Sequence, residues 1–287
     1  MSTIRGKLYL VSTPIGNLGD ISERGAQTLR DVDFIAAEDT RVTRKLLEHL
    51  GIKKPLVSYY EHNRRESGAR IVSRIMSGES CALVTDAGTP GISDPGEELV
   101  RICTDCEVSI VAIPGPCAAV TALAISGLPA GRFAFEGFLS TSRKSRFERL
   151  SELKNEKRTM VFYEAPHKLT RTLNDMLSAF GDRRVSISRE LTKYFEETMR
   201  CRLSEAAGHF ALNKPRGEFV LVIEGAAEEA HSADSGLDDA VRIASAYIDG
   251  GVSVKDAVKK AAEETGVPKN ALYDAVLEKG GAKRRPC

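Results

Sequence analysis

Val84-Thr-Asp86-Ala-Gly88-Thr-Pro90-Gly-Ile-Ser93-Asp94-Pro95-Gly96 is the stretch on which the reading of the fold turns. The apolar run Cys81–Asp86 leads into it and reads as a buried strand, and the amphipathic pattern Pro95–Cys106 leads out of it as a helix. From Asp86 to Gly96 lie two aspartates, three glycines and two prolines. A plain connection needs fewer turn residues. At a strand's carboxyl end such a loop presents carboxylates and bare backbone to a ligand. Gly91-Ile-Ser93-Asp94-Pro95 does not fit G-x-S-x-G, so a hydrolase nucleophile elbow is excluded.

Two more loops repeat the arrangement. Val11-Ser-Thr-Pro14-Ile-Gly16-Asn-Leu-Gly19-Asp20 joins the candidate strand Lys7–Ser12 to the helix Ser22–Arg30. It is neither G-x-G-x-x-G nor a Walker loop, which disfavours a phosphate cradle; alone, it reads as a glycine turn. Ile113-Pro114-Gly115-Pro-Cys117-Ala118-Ala119 joins Val108–Ile113 to a helix of small residues, Cys117–Ile125. Small residues at a helix start let backbone amides approach an anionic group. Three strand-end loops in one half imply a shared crevice. Beside them, Ala36-Ala-Glu38-Asp39-Thr40-Arg41 closes the strand Asp33–Ala37 and opens the helix Thr40–Leu50. Glu38 and Asp39 suit helix capping, whereas Arg41 and Arg44 suit a polyanionic substrate.

Farther out the same alternation continues. Phe133–Glu136, Arg158–Tyr163, Val185–Arg189 and Glu218–Glu224 read as strands, and Arg65–Met76, Arg143–Leu153, Pro166–Phe180 and Leu203–Leu212 as helices. Strand–helix alternation on this scale predicts an α/β architecture with partly parallel sheets. Gly127-Leu-Pro-Ala-Gly131 is a plausible seam between two α/β halves. Ala226–Gly236 is small, polar and aperiodic, and reads as a linker. Leu237–Asp249, Val254–Thr265 and Lys269–Glu278 follow as helices. Gly266-Val-Pro268 between the last two gives a helix-turn-helix pattern.

The chain has 287 residues with 41 Lys+Arg against 40 Asp+Glu, a net charge of +1, which excludes a globally basic nucleic-acid wrapper. Hydrophobic residues at 42% and charged ones at 28% fit a globular protein and exclude bulk disorder or collagen. Behind Arg5 and Lys7 the apolar run is only Leu8–Val11, short of the ~7–15 residues of a signal-peptide core. No stretch approaches the ~20 residues that a bilayer span needs. Six cysteines without framework spacing fit reduced thiols, and hence a cytoplasmic protein. Cys103-x-x-Cys106 has no second pair and no nearby His, so no metal site is expected.

Charge that balances overall clusters locally. Over residues 143–158, seven bases (Arg143, Lys144, Arg146, Arg149, Lys154, Lys157, Arg158) oppose three acids, a net of +4. Arg41, Arg44, Lys45, Lys53, Lys54, Arg64 and Arg65 form a second set, and Lys283-Arg-Arg285 a third. Such runs are usually solvated faces; three of them beside a helix-turn-helix raise the case for nucleic acid. His62, amid Tyr59, Tyr60, Asn63 and Arg64, is a candidate for RNA contact or proton handling. In the second half Tyr163-Glu164-Ala-Pro166-His167, Arg189-Glu190-Leu191-Thr-Lys193 and Lys214-Pro-Arg216-Gly-Glu218 set polar groups at strand ends.

In order, the segments STPIGNLGDIS, AEDTR, SYYEHN, LVTDAGTPGISDPG, PGPCAAVTALAISGLP, FEGFL, FYEAPHK, RELTK and GEFVLVIEG resemble the tetrapyrrole (corrin/porphyrin) methylase superfamily. Within it, they resemble the branch that acts on small-subunit ribosomal RNA, over essentially the whole chain. The resemblance implies two α/β domains, 1–116 and 117–226, with S-adenosylmethionine in the cleft between them. It further implies a linker 227–236, a small helical RNA-binding domain 237–287, and a homodimer. The branch methylates the ribose 2′-hydroxyl of a cytidine in the decoding region of bacterial 16S rRNA, free or in the small subunit. Porphyrin-type members carry G-x-G-x-G-D after the first strand; Pro14-Ile-Gly16-Asn-Leu-Gly19-Asp20 departs from it, which argues against a tetrapyrrole substrate.

By motif, Pro14, Asp86, Ala87, Gly88, Thr89, Ser93, Pro114, Gly115, Cys117 and Ala118 are expected to line the cofactor site, completed by Tyr163, Glu164, Leu191 and Glu218. Methyl transfer from a sulfonium asks the protein to align donor and acceptor and exclude water, and a base helps a ribose hydroxyl. Glu38 is the first candidate base, Asp39 and His62 the next, with Arg41 orienting phosphate or ribose. Arg44, Arg64, Arg143, Lys144, Arg146, Lys269 and Asn270 are the expected RNA contacts. Two rivals remain: a tetrapyrrole methyltransferase, which gives the basic clusters no role, and a non-catalytic RNA-binding assembly factor, which leaves the crowded loops idle.

Overall fold

The computed structural model describes residues 6–227 and 233–281. Two sheets belong to one compact unit ending at Ala226. In the first, β1 (Lys7–Val11), α1 (Glu23–Asp31), β2 (Phe34–Ala37), α2 (Thr40–His49), β3 (Leu56–Ser58), α3 (Arg64–Met76), β4 (Cys81–Val84), α4 (Gly96–Asp105) and β5 (Ser109–Ile113) follow one another. The strands lie in the order β3-β2-β4-β1-β5, all parallel. Helical crossovers cover both faces of such a sheet, which is why β2 and β4 are buried at every residue. Alternate side chains serve opposite cores: Phe34, Ala36 and Leu83 pack with Ile71 and Leu99, while Ile35, Ala37 and Val84 pack with Leu29 and Leu47.

The second sheet is built from α5 (Ala118–Ile125), β6 (Phe133–Phe138), α6 (Arg143–Glu152), β7 (Thr159–Glu164), α7 (Pro166–Phe180), β8 (Arg184–Arg189), β9 (Glu197–Arg202), α8 (Leu203–Leu212) and β10 (Phe219–Ile223). Its order is β6-β7-β10-β8-β9, parallel only between β6 and β7. Leu150, Leu169, Leu173, Met176 and Leu203 cover one face. On the other, Ala119, Ala122 and Leu123 of α5 pack on Val161, Val220 and Val222. Because α5 belongs to this core, Gly127–Gly131 is a connection inside the second half rather than the seam; the chain changes sheets at Pro114–Cys117.

The separate unit that follows holds α9 (Ala233–Asp249), α10 (Val254–Thr265) and α11 (Lys269–Gly281) around Ala240, Val241, Ala244, Val258, Ala261, Leu272 and Val276. Ser253 caps α10 by accepting the Asp256 amide, and Gly266 closes it in the left-handed region at φ 74°. The expected helix-turn-helix is present. α9 begins within the stretch expected as linker, of which 228–232 lie outside the described residues, as does the basic run Lys283–Arg285. Two edge strands, β3 and β9, escaped the sequence reading. β3 is three residues long, and half of β9 (ETMRCR) is charged, at Glu197, Arg200 and Arg202.

Candidate active site

The loops after β1, β4 and β5 are laced together. Thr13 and Gly88 exchange two backbone hydrogen bonds, Thr13 N to Gly88 O at 2.9 Å and Gly88 N to Thr13 O at 3.1 Å. The Thr13 hydroxyl donates to Thr85 O at 3.1 Å, and Thr89 Oγ1 lies 3.0 Å from Ser12 Oγ and donates to Pro116 O at 3.1 Å. Gly115 rests so close to Ser12 that a Cβ there would come within 2.9 Å of the Ser12 Cβ. Pro114 and Gly115 are exposed and neither lines the main cavity. Asp94 fixes the turn between β4 and α4, accepting Gly91 N at 2.9 Å, Ile92 N at 3.1 Å and Gly96 N at 2.7 Å. Its burial raises its pKa against those three bonds, and it holds Ser93 at φ 65°.

Over these loops lies a cavity of about 590 Å³, walled by both sheets. That falls within the ~300–1,000 Å³ of cofactor-sized sites. From the first sheet come Asp86, Ala87, Gly88, Thr89 and Ser93; from the start of α5, Cys117 and Ala118; from the second sheet, Tyr163, Glu164, Leu191 and Glu218. Eleven of the fourteen expected cofactor residues thus share one wall, while Pro14 faces a neighbouring cavity. Tyr163 Oη accepts the Ala119 amide at 3.2 Å, and burial pushes its phenol up to about 12. Glu164 is satisfied within the protein by Ala165 N at 2.8 Å and the Thr172 hydroxyl at 2.5 Å, so it supports the wall. Glu218 meets Lys193 at 2.8 Å, which also meets Glu190 at 2.9 Å.

The acids separate by position. Glu38 lines the cavity, its Oε2 accepting the Thr85 hydroxyl at 2.7 Å. Asp86 lines both cavities; its Oδ1 accepts the Asp39 amide at 3.0 Å. Partial burial raises the pKa of Asp86, and the like charges of Glu38 and Asp39 add to the rise. Apolar walls from Ile15, Ile92, Phe138, Leu191 and Val220 stand against these carboxylates, and Gly88, at φ 87°, holds a left-handed backbone that a side chain would strain. This donor set fits a ligand that is part nucleoside-like and part cationic.

The sequence model of the Tetrapyrrole (Corrin/Porphyrin) Methylases matches residues 7–207. The chain belongs to this family. A second model, the RsmI C-terminal HTH domain, matches residues 235–280 of this methylase. A relative named "Ribosomal RNA small subunit methyltransferase I" from Synechocystis is 46% identical over 276 residues, 95% of this chain and 98% of that protein. One of the same name from Bacillus subtilis is 46% identical over 273 residues, 94% of each chain. Among solved structures, uroporphyrin-III C-methyl transferase from Thermus thermophilus complexed with S-adenyl homocysteine superposes with a TM-score of 0.55 at 17% identity. It covers 76% of this chain and 97% of that one. Diphthine synthase superposes with a TM-score of 0.59 at 16% identity, over 77% and 90%. At those identities the likeness is one of fold.

Several expected residues of the methylase lie elsewhere. Asp39 caps α2 and is clamped to Arg41, accepting its backbone N–H at 2.8 Å and its Nη2 at 2.6 Å. That guanidinium holds the Asp39 carboxyl down at about 2, while Arg41 stays 85% exposed. An acid held so low is a poor proton acceptor, and neither residue lines this cavity. His62 is exposed, edge-on to Tyr60, and also off the cavity wall. Arg146 is a correction of a different kind. It is 3% exposed, with Nε 2.7 Å from Asp175 and Nη1 donating to Ser140 O and Thr141 O at 3.0 and 3.2 Å. It ties α6 to α7 and cannot reach RNA.

Arg44, Arg143, Lys144, Lys269 and Asn270 are exposed, as a polyanion surface requires. Arg64 pairs with Glu61 at 3.0 Å, half-open to solvent. Sequence reasoning missed Thr85, Asp94, Phe138, Pro166 and Ser188 on the wall. Asp94, Phe138 and Pro166 sit inside motif segments that had been recognised, so proximity to a strand end was the available signal.

Proposed function

We propose that this methylase transfers the methyl group of S-adenosylmethionine to the 2′-hydroxyl of a cytidine in the decoding region of bacterial 16S rRNA, acting in the cytoplasm as a homodimer. The observation that carries the reading is the likeness to small-subunit rRNA methyltransferases over both the methylase portion and the helix-turn-helix. Asp86, Ala87, Gly88, Thr89, Cys117, Ala118, Tyr163 and Leu191 would hold the cofactor. When bound, it supplies a methyl group on a positively charged sulfur, open to in-line displacement by oxygen.

The chain's own work is orientation, water exclusion and removal of the hydroxyl proton. Asp86 and Glu218 lie where both cavities meet; Glu218 is ion-paired with Lys193, and the raised pKa of Asp86 makes it the better proton acceptor. Glu38, anchored by Thr85, holds that pKa up. Glu38→Gln is therefore expected to retain turnover and to move the acid limb of kcat/KM toward lower pH, because a like charge is removed. Activity here needs ionised Asp86, so it falls as pH drops through the raised pKa. A pH–rate profile of the two proteins checks this, and an unmoved limb would place the base elsewhere.

The decisive experiment offers methyl-labelled S-adenosylmethionine together with small subunits, large subunits, deproteinised rRNA, tRNA and a tetrapyrrole in parallel. Label in small-subunit rRNA, mapped to a ribose, is the expected result; label only in the tetrapyrrole overturns the reading. Removal of residues 228–287 is expected to leave cofactor affinity unchanged and to weaken small-subunit binding at least 10-fold, measured by filter binding. Undiminished binding would take the RNA role away from the helix-turn-helix.

A further inference from the structure

Beside the main cavity lies a second one, of about 310 Å³, to which the motifs assigned only Pro14 and the shared wall. The two cavities have Ile15, Thr85, Asp86, Ala87 and Glu218 in common, so whatever fills the second one faces the Asp86 carboxylate. The remaining wall comes from the loop after β1 and from α2, whose Val42 and Leu46 make it partly apolar.

Two polar groups there have no partner among the described residues. The Thr43 hydroxyl is buried, its residue only 3% exposed, and Oγ1 has no hydrogen-bond partner. A buried hydroxyl left unpaired is rare enough in a folded protein to call for a ligand or a water as its partner. Lys45, two residues further along α2, makes no ion pair among the described residues, whereas Lys193 is held between Glu190 and Glu218.

We propose that the second cavity seats the acceptor nucleotide. The Thr43 hydroxyl bonds to its sugar or base edge, and the Lys45 ammonium meets its phosphate. The proposal rests on the reading of the chain as a methyltransferase acting on RNA, and it names where that RNA's reacting unit enters. A half-apolar slot with one neutral hydrogen-bonding group and one unpaired cation suits a nucleotide: the sugar and base occupy the slot and the charge stays at the rim. Of the two acids that both cavities share, Glu218 is paired with Lys193, so the sugar is brought to Asp86.

The test is steady-state methyl transfer to small subunits that lack the methyl group, with cofactor affinity measured separately by calorimetry. Thr43→Val keeps the shape and removes the hydroxyl. The expected result is a 3- to 10-fold rise in KM for the subunit, as loss of one hydrogen bond gives, with cofactor Kd unchanged. Thr43→Ser restores the wild-type KM. Val42→Trp, at a half-exposed rim position that tolerates bulk, is expected to abolish transfer with cofactor Kd unchanged, and that Kd certifies the fold. Lys45→Gln is expected to lower the slope of log affinity against log salt by about 1. Unchanged subunit KM in both Thr43→Val and Val42→Trp, while the wild-type protein transfers label, overturns this assignment and leaves the function standing. A changed cofactor Kd with unaltered subunit KM gives the cavity to the cofactor instead. Absence of transfer by the wild-type protein overturns both.

Discussion

Asp86→Asn is expected to lower kcat by about 10²- to 10⁴-fold, the range that a positioned general base contributes. The cofactor Kd should stay within a few-fold of wild type. Asparagine keeps the size of the side chain and can still accept the Asp39 amide at Oδ1, so the loop keeps its shape. What is lost is a carboxylate able to take a proton where the two cavities meet. A matched loss in kcat and kcat/KM, with calorimetric binding intact, identifies an interaction made only in the transition state. If Asp86→Asn turns over normally and Glu38→Gln does not, the roles of the two acids are exchanged.

The second large effect is on stability. Arg146→Ala is expected to cost about 3–5 kcal/mol, because it leaves the largely buried Asp175 carboxylate and two part-buried carbonyl bonds without their donor. For a unit of this size that is a fall of roughly 6–20 °C in Tm. Asp175→Asn, which keeps an acceptor, should fall less. Below its melting temperature the Arg146→Ala protein should bind small subunits as well as wild type. A loss of RNA affinity at unchanged Tm would return Arg146 to the surface role that its neighbours Arg143 and Lys144 suggest.

Arg146 shows where a linear sequence stops informing. Arg143, Lys144 and Arg146 belong to one basic run, and nothing in their spacing says that the third inserts between α6 and α7 to meet Asp175. That acid is 29 residues away. By contrast, the buried run of β4 and the aspartate–glycine loop after it were legible, because an all-parallel sheet demands apolar strands and puts ligand loops at their carboxyl ends. β3 and β9 were not legible, since an edge strand needs no continuous apolar pattern. In the site, residues inside recognised motifs fell on the cavity wall, but roles did not follow from motifs. Asp39 looks like Glu38 in sequence and is consumed by its cap and by Arg41. Thr43, a plain helix residue by sequence, acquires meaning only from burial without a partner.

The pairing of β1 has a consequence for how the chain is made. Leu8 pairs with Cys81 on one side and Lys7 with Ser109 on the other. β1 therefore occupies an interior place whose two neighbours are synthesised much later. At ~5–20 residues per second, Lys7 waits roughly 5–20 s for Ser109. Until Cys81–Val84 of β4 emerges, Leu8 and Val11, which end fully buried, have no neighbouring strand beside them. A nascent chain halted short of β5 can shape its helices, but it holds neither the loop at Pro114–Cys117 nor a complete floor for the cavity. Acquisition of the ligand site thus waits for β5 and the loop after it, although β1, which contributes to it, is made about a hundred residues earlier.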